Sequence, residues 1–317
     1  MPLEPEIRPI VEQLNSLPPL HTLTPQQLRD NMRQGTKPSD PAGVSAADMM
    51  IPGPAGHLPL RLYRPNDVSN PGLCVFFHGG GFVMGDLETH DQMCRDIARA
   101  AQCAILSVQY RLAPEDLYPA SIEDALAATR WAAANTRALG CAEGGVVIMG
   151  DSSGGNLSAA TALSLRNQKE DLLIGQVLIY PVVDHYSGNW PSYRENAEGY
   201  YLTEKDMVNF WDNYLSDPAQ AQDELASPVR TKDLSGLPPT MILTAEFDPL
   251  RDEAEAYGER LKESGGAVTC TRYDSVVHGF LRLANFSPTG RKAIDDIGGW
   301  LDRLFAANVG AKGVAKN

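Results

Sequence analysis

The sequence has no C-x-x-C pair and no cysteine/histidine spacing suited to zinc. Its five cysteines, Cys74, Cys94, Cys103, Cys141 and Cys270, are scattered. A zinc finger or ribbon is therefore excluded, and a reduced protein without structural disulfides or metal is expected. Cys74 and Cys270 lie in strand-like runs, where a buried thiol acts as a small hydrophobe. Positive charge is also scarce: 27 Lys and Arg stand against 40 Asp and Glu, a formal net charge of −13. That balance speaks against nucleic acid or an anionic membrane as partner and is comfortable for a neutral small molecule. No apolar run approaches the length needed to cross a bilayer. The start, Met1 to Glu6, has neither a basic region nor an apolar core, so no signal peptide is expected and the expected location is cytoplasmic. Internal repeats and low-complexity tracts are absent.

What is present is an alternation of strands and helices. Strand candidates fall at 46–51, 58–63, 73–77, 104–109, 146–149, 176–180, 240–245 and 268–273. From the third onward, helical stretches separate them, notably 90–101, 120–138, 154–166 and 251–264. Such alternation implies an α/β fold with a mostly parallel sheet covered on both faces. At 317 residues the chain can form one large domain with an appended cap. The expected division is 1–45 as the N-terminal part of a cap, 46–184 and 238–309 as the core, 185–237 as a cap insertion, and 310–317 as a frayed tail. Residues 1–45 carry an amphipathic helix with Ile7, Ile10, Val11 and Leu14 on one stripe, then a Pro-rich polar segment. The insertion holds Trp190, Tyr193, Tyr200, Tyr201, Phe210, Trp211 and Tyr214. Phe210, Trp211 and Tyr214, at helical spacing, read as the cap's own core; Tyr200 and Tyr201 are candidate pocket residues.

Gly150-Asp151-Ser152-Ser153-Gly154 is the most informative stretch, a G-x-S-x-G sequence between the strand Val146 to Met149 and the helix-forming Asn156 to Arg166. In a strand–turn–helix context such a motif forms a nucleophile elbow. The tight turn tolerates no bulk two residues either side of the serine, which Gly150 and Gly154 satisfy. The helix then aims its N-terminal amides at the same place. The plain alternative is a glycine-rich loop whose serine caps a helix.

His78-Gly79-Gly80-Gly81-Phe82-Val83-Met84-Gly85 follows the apolar strand Leu73 to Phe77. A tetrahedral oxyanion needs bare amide donors, and glycines provide them. Gly80, Gly81 and Ser153 are the candidate donors of an oxyanion hole, each worth about 3–4 kcal/mol to the transition state. No Gly-Lys-Ser/Thr follows, so a phosphate loop fits poorly. Phe82 and Met84, beside this loop, are candidate pocket walls.

A serine needs a base, and the base an orienting acid, in the chain order serine, acid, histidine. Only His185 and His278 lie downstream of Ser152. His185 sits in a polar stretch at the start of the insertion. His278 follows a strand's C-terminal end, where ligands bind in open α/β sheets, and is the expected base. Asp248, in the turn after the strand Thr240 to Ala245, is the expected acid. It could equally cap the helix opened by Pro249, and Glu246 is the alternative acid. Asp124 opens a helix, where a first-turn carboxylate favours the dipole.

With these pieces in place, the chain resembles the hormone-sensitive lipase-like esterases, the bacterial family IV, GDSAG-type branch of the α/β-hydrolases. The matching segments are the HGGGF-type loop at 78–82, Tyr110-Arg111-Leu112-Ala113-Pro114-Glu115, the GDSSGGN elbow at 150–156, Asp248-Pro249-Leu250-Arg251-Asp252, and His278-Gly279-Phe280. The resemblance implies an eight-stranded, mostly parallel α/β-hydrolase sheet with a helical cap. It also implies a Ser152, Asp248, His278 triad hydrolysing short-to-medium-chain esters without a cofactor, and a possible homodimer. It makes the YRLAPE segment a buttress behind the oxyanion loop, whereas the residues alone read Arg111 and Glu115 as a surface ion pair. Two departures stand out: Ser153 where the family usually has alanine, and Ser275 where glycine is common. Two other functions remain open on the same scaffold. One is a ligand sensor, as in the plant gibberellin receptors, which have lost the histidine that this chain keeps. The other is acyl transfer or amide hydrolysis by the same triad.

Overall fold

The computed structural model describes residues 2–37 and 39–314. Eight strands form one sheet: β1 (Val44–Gly53), β2 (Gly56–Pro65), β3 (Leu73–Phe77), β4 (Ala104–Val108), β5 (Val146–Asp151), β6 (Leu173–Ile179), β7 (Thr240–Phe247) and β8 (Val268–Val277). Their spatial order is β1-β2-β4-β3-β5-β6-β7-β8. The β1–β2 hairpin and the β2–β4 pair are antiparallel, and every pairing from β4 to β8 is parallel. Parallel neighbours need crossovers, and helices provide them.

The helices are α1 (Arg8–Asn15), α2 (Pro25–Gln34), α3 (Asp91–Ala101), α4 (Ala120–Asn135), α5 (Ser153–Asn167), α6 (Pro191–Glu195), α7 (Glu204–Tyr214), α8 (Arg251–Glu263) and α9 (Pro288–Val314). Because successive strand side chains face opposite ways, Cys74 and Phe76 meet Ile97 of α3 and Ile294 and Ile297 of α9 on one face. Leu73, Val75 and Phe77 meet Ile122 and Ala125 of α4 and Leu157 of α5 on the other. All five β3 residues are buried, as a central parallel strand requires.

Two helices were not legible as such. The segment expected to be merely Pro-rich contains α2, opened by a capping box in which Thr24 and Gln27 satisfy each other's backbone amides, with Pro25 at the first helical position. The C-terminal α9 buries Ala293, Ile294, Ile297 and Leu301, a helical stripe present in the sequence. It runs through Val314, so the first part of the tail expected at 310–317 continues a helix, while residues 315–317 lie outside the described residues.

The N-terminal segment docks on the insertion. The Asn15 side chain donates to Gly199 O (2.7 Å) and accepts from the Tyr201 amide (3.1 Å), while the His21 amide donates to buried Asp206 at 2.8 Å. Phe210, Trp211 and Tyr214 are buried, but in the same hydrophobic cluster as β3 and the loop after it rather than in a separate core of the insertion.

Candidate active site

β5 ends at Asp151 and α5 begins at Ser153, leaving Ser152 alone in the turn at φ 55° and ψ −119°. A β-carbon disfavours that region, so surrounding packing must hold it there. Its amide donates to Ile179 O at 2.8 Å. A Cβ on Gly154 would overlap the Phe77 carbonyl, and one on Gly150 would overlap Gly154 itself. These contacts are backbone on backbone and cannot relax by a rotamer change. Gly154→Ala is therefore expected to cost at least about 3 kcal/mol of stability, read as the denaturant midpoint. A variant as stable as the parent would contradict the elbow packing.

The Ser152 Oγ lies 2.9 Å from His278 Nε2, and His278 Nδ1 lies 2.7 Å from Asp248 Oδ2. Asp248 is fully buried, whereas Ser152 and His278 are each 8% exposed, so the pair is covered but not sealed. The other Asp248 oxygen accepts the Leu250 amide at 2.9 Å. The two roles foreseen for this aspartate, helix start and histidine partner, are thus split between its two oxygens. The alternative acid, Glu246, points elsewhere, accepting the Ser275 amide at 2.7 Å. The other downstream histidine, His185, directs Nδ1 to the Ser187 hydroxyl at 2.8 Å.

Gly80 (φ 132°) and Gly81 (φ 61°) both adopt backbone that favours glycine. Their amides and that of Ser153 have no acceptor among the described residues. The Gly80 carbonyl is occupied by the Val83 and Met84 amides at 3.1 and 3.0 Å. A Cβ on Gly81 would strike the Phe210 ring, so α7 packs directly on the loop. Behind it, buried Asp151 accepts the Gly79 amide at 2.7 Å and lies 3.4 Å from His90. Burial alone would raise the Asp151 carboxyl, but His90 and the Gly79 amide hold it below its ordinary range.

His78 stacks on Tyr110 at 4.3 Å between ring centroids, and the Tyr110 hydroxyl donates to His78 O at 2.6 Å. Burial first, then the neighbouring His90, pushes the His78 imidazole down to about 4. Above the ordinary value of about 6.5 neither folded nor unfolded chain protonates this ring. As pH falls towards about 4 the unfolded chain gains a proton that the native state refuses, so stability drops. The penalty is on the order of 3 kcal/mol. His78→Phe, which keeps a stacking ring, is expected to flatten the loss of denaturant midpoint between pH 7 and pH 4.5. An unchanged acid slope would contradict the assignment.

Arg111 and Glu115 do not pair with each other. Arg111 grips Asp124 through its amide and Nε, both at 2.9 Å, and Asp124 is only 2% exposed. Asp124 is thus the buried half of an ion pair rather than a simple dipole-favouring residue. Glu115 binds Arg29 of α2 in a two-pronged contact (2.9 and 2.6 Å), and Arg29 also donates to Val83 O and Ala113 O. Arg29 ties α2 to the glycine-rich loop across 54 residues of sequence, a contact no local pattern could reveal. Glu253, fully buried, accepts the Val183 amide where the chain leaves the sheet for the insertion, and burial pushes its carboxyl well up.

Phe82, expected as a pocket wall, is 1% exposed and lies face to face on Tyr214 at 3.8 Å. Its ring belongs to the hydrophobic core, packed against Trp211 and Tyr214 of α7. Met84 is buried beneath Gly80. Tyr200 and Tyr201 are half-buried, and Tyr200 stacks on Phe247, next to Asp248, at 4.5 Å. A cavity of about 470 Å³ lies between the β1–β2 turn, α2 and residues 109–112; it includes neither Ser152 nor His278 and does not mark the reactive centre.

Among the described residues no cluster of three or more His, Cys, Asp or Glu could hold a metal, and no helix is long and apolar enough to cross a membrane. A family described as alpha/beta hydrolase fold matches residues 74–282. The chain is 36% identical over 314 residues to an arylesterase of Saccharolobus solfataricus, covering 96% of this chain and 100% of that one. It is 42% identical over 246 residues to the carboxylic ester hydrolase LipN of Mycobacterium tuberculosis, covering 76% of this chain and 65% of the relative. It thus spans just under two thirds of that relative. The solved structure of a hyperthermophilic esterase from the archaeon Pyrobaculum calidifontis superposes with a TM-score of 0.90 at 38% identity, over 96% of this chain and 99% of that one.

Proposed function

This chain belongs to the alpha/beta hydrolase family, among the hormone-sensitive lipase-like esterases, and we propose that it is a serine carboxylesterase acting on short-to-medium-chain esters. The observation that carries the proposal is the unbroken bonding from Asp248 through His278 to Ser152, beside the three unpaired amides of Gly80, Gly81 and Ser153. His278 takes the Ser152 proton at Nε2 while Asp248 keeps the other ring proton on Nδ1. The alkoxide attacks the ester carbonyl, and the three amides hold the resulting oxyanion. His278 then protonates the departing alcohol, water attacks the acyl-enzyme with its proton passing to Nε2, and His278 returns that proton to the Ser152 oxygen as the acid leaves. Every proton and charge in this scheme is handled by the chain's own groups. Activity is lost on the acid side, where a protonated imidazole cannot act as base.

Residues 1–45 and 185–237 form the cap in this account. The preference for shorter chains is what the resemblance to this esterase family implies. Turnover of p-nitrophenyl esters from acetate to palmitate tests it, with a maximum expected at short or medium chains. Rates that rise to the longest chain would overturn the preference, and no turnover of any ester would overturn the esterase assignment.

A further inference from the structure

We propose that Glu246 is a positioning residue for His278, acting through the backbone of Ser275, and that Glu4 completes the grip from the other side. The inference rests on the esterase proposal and adds residues that proposal does not use.

The β7–β8 ladder is regular as far as Ala245 opposite Tyr273, then breaks, resuming with Phe247 opposite Val277. Ser275 lies in the skipped stretch, at φ 63°. A residue with a β-carbon leaves the left-handed region unless its surroundings hold it there. Here both of its backbone polar groups are held. The amide donates to Glu246 Oε2 at 2.7 Å, so a side chain replaces the ladder acceptor lost at the bulge. The Ser275 carbonyl accepts the Glu4 amide at 2.8 Å. Glu4 is itself fixed: its carboxylate accepts the Thr289 amide (3.0 Å) and hydroxyl (2.9 Å), together with the Ser287 hydroxyl, at the start of α9.

His278 follows three residues later. Its Nε2 must stay within hydrogen-bond reach of Ser152, and displacements of about 1 Å at a reacting group can cost on the order of a hundredfold in rate. A glycine at 275 would adopt the observed φ unaided. The serine instead depends on Glu246, which predicts a specific interaction between the two positions.

The test measures kcat and KM for p-nitrophenyl butyrate with the full chain, Glu246→Ala, Glu246→Gln, Ser275→Gly and the double variant, each with its thermal melt. In the parent background Glu246→Ala is expected to lower kcat about tenfold or more with KM nearly unchanged. In the Ser275→Gly background the same replacement is expected to cost no more than about threefold, because glycine holds the turn by itself. Glu246→Gln, which keeps a carbonyl acceptor, is expected to fall between parent and alanine variant. Equal losses in both backgrounds, or no loss in the parent, would overturn the inference, since a merely structural role gives no rescue by glycine. Should Glu246→Ala fail to fold, the comparison of the double variant with Ser275→Gly decides: a tenfold gap overturns the inference and a small one supports it. Absence of Ser152-dependent turnover in the parent would be the separate failure of the esterase proposal.

Discussion

Ser152→Ala is expected to lower kcat by about a million-fold while leaving the fold and its melting point nearly intact. The size follows from the geometry. Among the described residues only the Ser152 hydroxyl bonds a ring nitrogen of His278, at 2.9 Å, so alanine leaves the base with nothing to deprotonate but water. The amides of Gly80, Gly81 and Ser153 remain, and they can still stabilise an oxyanion. A residual rate above the uncatalysed one, by about 10³- to 10⁴-fold, is therefore expected rather than complete silence. The stability expectation is equally specific. The strain at Ser152 resides in its backbone, and alanine keeps the same β-carbon. A variant that retained a tenth of the parent rate would remove the serine from the mechanism, whatever its melting point.

Asp248→Asn is expected to lower kcat by about ten-thousand-fold, and the surroundings dictate why. The carboxylate serves two donors at once: the Leu250 amide at one oxygen and His278 Nδ1 at the other. An asparagine has one acceptor and one donor end. The Leu250 amide is buried and must be accepted, which fixes the asparagine carbonyl on that side. The NH₂ group then faces Nδ1 and donates to it. This moves the ring proton to Nε2, the nitrogen that must accept from Ser152. The variant should thus fold normally and be inactive through the wrong tautomer. Comparing Asp248→Asn with Glu246→Ala ranks the two carboxylates: a loss far greater at 248 is expected, and the reverse order would make Glu246 the acid.

Strands were the most legible part of the fold, because buried parallel strands are short apolar runs with sharp polar ends. β3 was readable to the residue as Leu73–Phe77, and the elbow and glycine loop followed from their places after strands. α2 and α9 were missed although their signals are local, the Thr24–Gln27 capping box and the stripe Ala293, Ile294, Ile297, Leu301. Proline content outweighed the first, and the distance from any motif hid the second. The spatial meeting of Ser152, Asp248 and His278 was foreseeable because chain order and strand ends constrain it. The supports were not. The bonds from Arg29 to Val83 O, from Arg111 to Asp124 and from Glu4 to Ser275 join segments whose separation in sequence carries no periodic signature. Phe82 shows the same limit: its position beside the glycines suggested a pocket wall, and only the packing of α7 reveals a core residue.

The most direct test of the central claim is covalent. The protein is incubated with a p-nitrophenyl alkylphosphonate, whose phosphorus reacts with an activated serine as an ester carbonyl would, and the adduct is located by peptide mass spectrometry. The account predicts one adduct per chain, on Ser152, formed in step with the loss of esterase activity and slowed by Asp248→Asn. Full loss of activity with the label on another residue, or an active enzyme that takes up no label, would contradict it.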